Sequence, residues 1–320
     1  MMKLKMQASQ VESFGKALLS LGLERDDLVV LDPDVSDSTK TAYFAERLPE
    51  RFISVGISEQ DMIGIAAGLA ASGKTPVACG FAMFTSGRAW EQVANSVARS
   101  NLNVKVVGTH GGLSPSADGA SHQAFGDVAL MRVLPNMRVV VPADAPEAEE
   151  AIRTLVEWYG PSYLRLSRGS SPVVYDDGCD FTLGEATVLR EGSDATIMAN
   201  GIMVSKSLIA ADMLSGDGID VGVVDMHTVK PLDEARVDRA ATETGAIVVA
   251  EEHSVINGLG SAVAEFLAES KPTPVVRVGI RDKFGDSSRS YEDLLGKYGL
   301  TPSDIVEAVR ASMGLRNRER

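Results

Sequence analysis

A chain of 320 residues, 44% of them hydrophobic, has room for two α/β units of ordinary size, each with its own core. Its net charge of −13 argues against nucleic acid as a partner, and no apolar run approaches the roughly 20 residues that a membrane span needs. The opening MMKLKMQASQVES lacks the apolar stretch of a secretory signal, so a soluble, cytoplasmic protein is expected; Cys79 and Cys179 stand in no metal-type spacing and a disulfide is not expected.

Val-rich apolar runs alternate with segments of helical period along the whole chain, the pattern of parallel sheets with crossover helices. In the first half, strands are predicted at 28–32 (LVVLD), 76–81 (PVACGF), 104–109 (VKVVGT), 137–143 (MRVVVPA) and 162–167 (SYLRLS). A helix after Glu59 sets Ile63, Ala66, Ala67 and Ala70 on one face, and another after Phe84 does the same with Trp90, Val93, Ala94 and Val97. Residues 170–184 carry Pro, Gly and paired Asp with little periodicity, and are predicted to link two domains spanning 7–169 and 185–314. The second block predicts strands at 194–201, 219–226, 246–252 and 274–280 and a terminal helix bearing Ile305, Ala308, Val309 and Met313.

Chemistry-bearing residues gather between positions 54 and 126. Glu59, in VGISEQD, sits where a strand gives way to a helix, at the carboxyl edge where open α/β sheets bind ligands. Alone, it is explained as a first-turn acid favoured by the helix dipole with Ser58 as cap. Phe81 and Phe84 follow a strand three residues apart, a spacing that core packing explains equally well. His110 and His122 lie twelve residues apart in a Gly- and Ser-rich loop, THGGLSPSADGASHQ, where packing explains two imidazoles poorly. Asp118, in ADG of the same loop, also suits a plain turn.

Taken together, these segments resemble the pyrimidine-binding domain of transketolases, and the remainder resembles their C-terminal domain, so the similarity covers nearly the whole chain. The resemblance implies two α/β domains, a parallel-sheet domain that binds the pyrimidine of thiamine diphosphate and a smaller C-terminal domain. It implies that Glu59 shares a proton with the aminopyrimidine, that Phe81 and Phe84 flank that ring, and that His122 stabilises the alkoxide and shuttles protons. His110 and Asp118 would hold sugar hydroxyls, and Arg168 (in LSRG) with Ser38 (in DVSDSTK) would anchor the distal, phosphate-bearing end. A full-length transketolase also has a diphosphate-binding domain with Gly-Asp-Gly and a later Asn that hold magnesium. This chain therefore resembles the C-terminal subunit of a split transketolase, with no metal ligands of its own and with magnesium held mainly by an N-terminal partner subunit. Two copies of each would make a heterotetramer acting on sugars or sugar phosphates.

Two departures from the family pattern stand out. Where transketolases place a third aromatic, this chain has Gly87 followed by Arg88, and where they place a second phosphate-binding arginine, it has Val11. Gly216-Asp217-Gly218 imitates the magnesium motif, yet lies between a helix and a strand with no suitably placed Asn, and NGLGSA (257–262) is a weak nucleotide-loop pattern. His227 and His253 are expected to be structural. A 2-oxo acid dehydrogenase beta subunit would share the layout and the acidic residue but not the THGG…ADGASHQ pair. A 1-deoxyxylulose 5-phosphate synthase shares ADG…HQ but usually has Arg at the place of His110. A non-enzyme alternative is a catalytically silent assembly subunit.

Overall fold

The computed structural model describes residues 6–176 and 178–316. Among them fourteen strands follow in chain order: β1 (Gln7–Ser9), β2 (Leu28–Asp32), β3 (Phe52–Ser54), β4 (Thr75–Phe81), β5 (Lys105–Thr109), β6 (Arg138–Val140), β7 (Ser162–Arg165), β8 (Ser170–Pro172), β9 (Thr187–Arg190), β10 (Ala195–Ala199), β11 (Val221–Asp225), β12 (Thr228–Lys230), β13 (Ile247–Ser254) and β14 (Val275–Ile280). The first sheet runs β12-β6-β7-β5-β4-β2-β3, with its six strands β6 to β3 mutually parallel. The second runs β14-β13-β10-β11-β9, parallel except for the antiparallel edge strand β9. Strands β2, β5, β10 and β11 are buried at every position, as their continuous apolar runs require when helices cover both faces of a parallel sheet.

The nine strands expected from periodicity all form. The other five are three-residue pieces (β1, β3, β8, β12) or a half-exposed edge (β9), too short or too mixed to leave a run in the sequence. One of them changes how the halves fit together. Strand β12 lies in the second half of the chain but pairs antiparallel with β6 of the first sheet, and Val141 N donates to His227 O (2.8 Å) while Gly201 N donates to Val141 O (3.2 Å). Residues 170–172 likewise pair with Gln7–Ser9.

Helix Glu59–Ala71 turns Met62, Ile63, Ala66 and Ala67 into the core, and its small residues let it lie close to the sheet. The chain after β4 winds from Met83 to Ala98 with two wide turns, in which Ala89 N donates to Phe84 O (3.2 Å) and Arg99 N to Ala94 O (3.0 Å), five residues apart in each case. Such turns insert one residue into the helical repeat and re-aim the side chains they carry. Val93 and Val97 are nonetheless fully buried, as the helical period predicts. No helix of the described residues is long and apolar enough to cross a membrane.

Candidate coenzyme site

Because β2, β3, β4 and β5 are parallel neighbours, their carboxyl ends open on one edge of the first sheet. Phe81 ends β4 opposite Thr109, which ends β5 and precedes His110. Glu59 begins the helix that follows β3. Sheet topology thus delivers three segments distant in sequence to one place.

Glu59 is 3% exposed, and Ser58 makes no side-chain cap bond, so the cap that belonged to the plain helix-start explanation of Glu59 is not formed. The Glu59 carboxylate instead accepts a hydrogen bond from Arg88 Nη1 at 2.7 Å. The Arg88 guanidinium carbon lies 4.6 Å from the centre of the Phe84 ring. Phe84 meets His122 edge-on at 5.3 Å, Phe81 lies 6.2 Å from His122 and 4.2 Å from His110, and the two Phe rings are 6.4 Å apart. Glu59, Arg88, Phe84, His122, Phe81 and His110 therefore form one unbroken chain of contacts. Arg88 was not among the residues that the sequence singled out for the site, and it stands beside the position of the missing third aromatic.

His110 takes a left-handed backbone (φ +60) and is buried, with Nδ1 3.0 Å from Thr109 Oγ1. Burial, helped by the nearby charge of Arg168, pushes its pKa down to about 4, so the imidazole is neutral at ordinary pH. Its loop is held from the second half of the chain. Leu113 N and the Tyr291 hydroxyl both donate to Glu252 Oε1 at 2.7 Å, and a Cβ at Gly112 (φ +64) would fall 2.3 Å from the Glu252 carboxyl carbon. Only glycine fits there. His122 is half-buried, with Nδ1 2.9 Å from Ser121 Oγ. The far side of the loop is tied to the segment after β14, where Gln123 Nε2 donates to Asp286 O (2.8 Å) and Ser288 N to Ser116 O (2.9 Å).

Two residues expected to contact substrate, Asp118 at a hydroxyl and Arg168 at the distal group, are bonded to each other: Arg168 Nη1 donates to Asp118 Oδ2 at 2.7 Å, both side chains about half exposed. Ser38 lies exposed in the short helix Ser36–Thr39 after β2, at the same sheet edge, and makes no side-chain hydrogen bond to a described residue. Val11 is packed in the core beside Phe14 and Leu18, so no cation stands there, while its neighbour Gln10 accepts from Ser167 N next to Arg168 (2.8 Å). His227 packs on Phe181 at 4.4 Å, and His253 Nδ1 lies 2.8 Å from Ser254 O; neither joins the ring cluster. Asp217 pairs with Arg310 in a surface turn. The NGLGSA segment starts a helix whose Leu259 and Gly260 N–H groups are taken by the Glu251 carboxylate (2.8 and 2.9 Å), which leaves them closed to a phosphate. No group of three His, Cys, Asp or Glu side chains among the described residues could hold a metal ion.

The sequence profile of the transketolase pyrimidine-binding domain matches residues 7–173, and that of the transketolase C-terminal domain matches 184–305. A 6-deoxy-6-sulfo-D-fructose transketolase subunit from Clostridium sp. (strain MSTE9) is 44% identical over 93% of this chain and 92% of its own. One of the subunits of an apulose-4-phosphate transketolase from Phocaeicola vulgatus is 40% identical over 92% and 95%. The solved structure of a split-gene transketolase, described as an inactive beta4 tetramer, superimposes with a TM-score of 0.89 at 50% identity, over 97% of this chain and all of that one. The chain belongs to the transketolase family, of which it carries the pyrimidine-binding and C-terminal domains.

Proposed function

We propose that this chain is the C-terminal subunit of a split, cytoplasmic transketolase that moves a two-carbon ketol unit from a ketose to an aldose and is active only with a separate N-terminal subunit. The observation that carries the proposal is the contact chain from Glu59 through Arg88, Phe84 and His122 to Phe81 and His110. The groups present suit half of a thiamine diphosphate site. A buried carboxylate paired with a half-exposed arginine can exchange that partner for a ring N–H, and Phe84 offers a flat face beside it. When bound, thiamine diphosphate would supply a nucleophilic carbon and an electron sink for cleaving and forming the carbon–carbon bond.

The roles proposed for this chain's residues are those the family resemblance implies, and their surroundings are compatible with them. Glu59 holds a proton at the pyrimidine nitrogen, and Phe81 with Phe84 keeps the ring plane fixed. His110, neutral because it is buried, serves substrate oxygen atoms as a hydrogen-bond partner without adding charge. His122, more accessible and edge-on to Phe84, stabilises the developing alkoxide and moves protons. Asp118 reads a sugar hydroxyl, and Arg168 with Ser38 anchors the distal end. With Val11 buried and apolar, that end meets one arginine, which suits a singly charged or phosphate group held partly by others; the relatives named above carry a sulfonated and a phosphorylated sugar in their names.

The diphosphate and magnesium would be held mainly by the N-terminal subunit, two copies of each subunit making a heterotetramer. The domain division stays as proposed from sequence, 7–169 and 185–314 around the 170–184 linker. Mixing the purified chain with its N-terminal partner, thiamine diphosphate and magnesium should give ketol transfer between a ketose and an aldose, absent from either subunit alone. Lipoyl-linked decarboxylation without ketol transfer would defeat the proposal.

A further inference from the structure

Arg88 occupies the space between the Glu59 carboxylate and the Phe84 face, and it makes there the two interactions that a stacked heterocycle would make. Its guanidinium is planar, donates an N–H to Glu59 at 2.7 Å and lies over the ring at 4.6 Å. The two partners differ sharply in environment: the Glu59 side chain is 4% exposed, that of Arg88 46%. A buried carboxylate needs a counter-charge, whereas an arginine rooted near the surface loses little when it returns to water. Open space borders the turn that carries it. A Cβ at Gly87 would meet nothing within 4 Å, and a cavity of about 440 Å³, lined by Met83, Ser86, Gly87, Phe125 and Phe284, adjoins the same turn. The wide turn that carries Arg88 aims it at Glu59 from 29 residues away in sequence.

We propose that Arg88 is a positioning residue of the coenzyme site: it stands in for the pyrimidine ring while the site is empty, keeping Glu59 paired and in place, and is exchanged for that ring when the coenzyme binds. This goes beyond the proposed function and rests on it. Two measurements test it. In thermal unfolding of the full chain without partner, Arg88→Leu should lower the Tm, and the second substitution Glu59→Gln should restore most of the loss, because the damage is an unpaired carboxylate and not a lost side chain. Additive losses would overturn the pairing role.

In the complex with the N-terminal subunit and magnesium, calorimetric titration with thiamine diphosphate should show Arg88→Leu binding about tenfold more tightly than wild type, since no resident cation has to be displaced. Unchanged or weaker binding would overturn the exchange while leaving the proposed function intact; no binding by the wild-type complex would remove both. If Arg88→Leu does not fold, Arg88→Lys, which keeps the charge without the planar fork, should tighten binding by a smaller factor, and the same opposite result overturns the exchange.

Discussion

Two sets of charges in this molecule invite comparison, those along the open edge of the first sheet and those sealed between the two halves of the chain. At the edge, Glu59–Arg88 and Arg168–Asp118 each put at least one partner in contact with water, and the arginine in both pairs is 46% exposed. Between the halves, the Asp127 carboxylate accepts from Arg165 Nε and the Tyr163 hydroxyl at 2.8 Å each, while Arg165 Nη2 also donates to Ala124 O and Glu252 O, and all three side chains are buried. Removing a partner from a sealed pair strands a charge where no water can reach it, whereas a half-exposed pair can change partners at small cost. The lesson is a division of labour: the sealed network fixes the frame on which the His110 loop hangs, and the edge pairs stay exchangeable because water reaches at least one partner of each.

The sharpest way to break that comparison is to neutralise Glu59. Glu59→Gln should cut ketol transfer by the reconstituted enzyme by about 10²- to 10⁴-fold, the range for a lost proton-transfer group, while the unfolding midpoint of the lone chain changes little. A large stability loss with retained activity would place Glu59 among the structural charges instead. Asp127→Ala tests the other side. It should destabilise the chain by about 3–5 kcal/mol in denaturant unfolding, because Arg165 and Tyr163 are left buried without their acceptor. A loss under about 1 kcal/mol would show that the sealed network is as exchangeable as the edge.

How far the sequence carried depends on how local each signal is. The nine expected strands were legible because a buried parallel strand sits in a run that is apolar at successive positions, even where, as at β6, only three residues of the run pair as strand. Phe81, Phe84 and His110 could be picked out because each lies at a strand end or within three residues of one, and His122 because it shares the Gly- and Ser-rich loop that His110 opens, so short-range pattern and the order of elements place them at one edge. Arg88 escaped because its pairing with Glu59 spans 29 residues and depends on a wide helical turn that composition does not announce. The grip of Glu252 on Leu113 spans 139 residues and crosses between the halves, and β12 joins a sheet built from the other half. The positive φ of His110 and the crowding at Gly112 were equally hidden, since a Gly-Gly pair signals a bend but not what presses against it.

His110 sits at the boundary between the two regimes, and its response to acid sharpens the distinction. Burial puts its folded-state pKa at about 4, against an ordinary value near 6.5 that the unfolded chain should show. Between these values the unfolded state binds more protons, so stability falls as pH drops from about 6.5 to 4 and levels below that. His227, also pushed down to about 4 by burial, adds the same sign, while Asp225, raised to about 7 by burial, adds the opposite one. The difference between wild type and His110→Asn isolates the first group. Wild type should lose stability relative to the variant by on the order of 3 kcal/mol from pH 7 to pH 4, read from denaturant midpoints. Parallel curves would mean that His110 is as solvated as the exposed pairs.

A small stability effect should also come from Arg168→Ala. Its ion pair with Asp118 is half exposed on both sides, so the variant should lose no more than about 1 kcal/mol of stability, and less at high salt. Its kinetic signature should be larger than its structural one: a rise of roughly tenfold in KM for an anionic sugar with kcat little changed, because the guanidinium is proposed to grip the distal group equally in ground and transition states. For an uncharged sugar of the same length, the KM should barely move. Asp118→Asn supplies the converse, since freeing Arg168 from its carboxylate should lower the KM for the anionic sugar while weakening hydroxyl recognition. Opposite movements of KM in these two variants would require that the pair seen in the lone chain opens when substrate arrives, and equal movements would mean that it stays closed and acts as a single hydrogen-bonding unit.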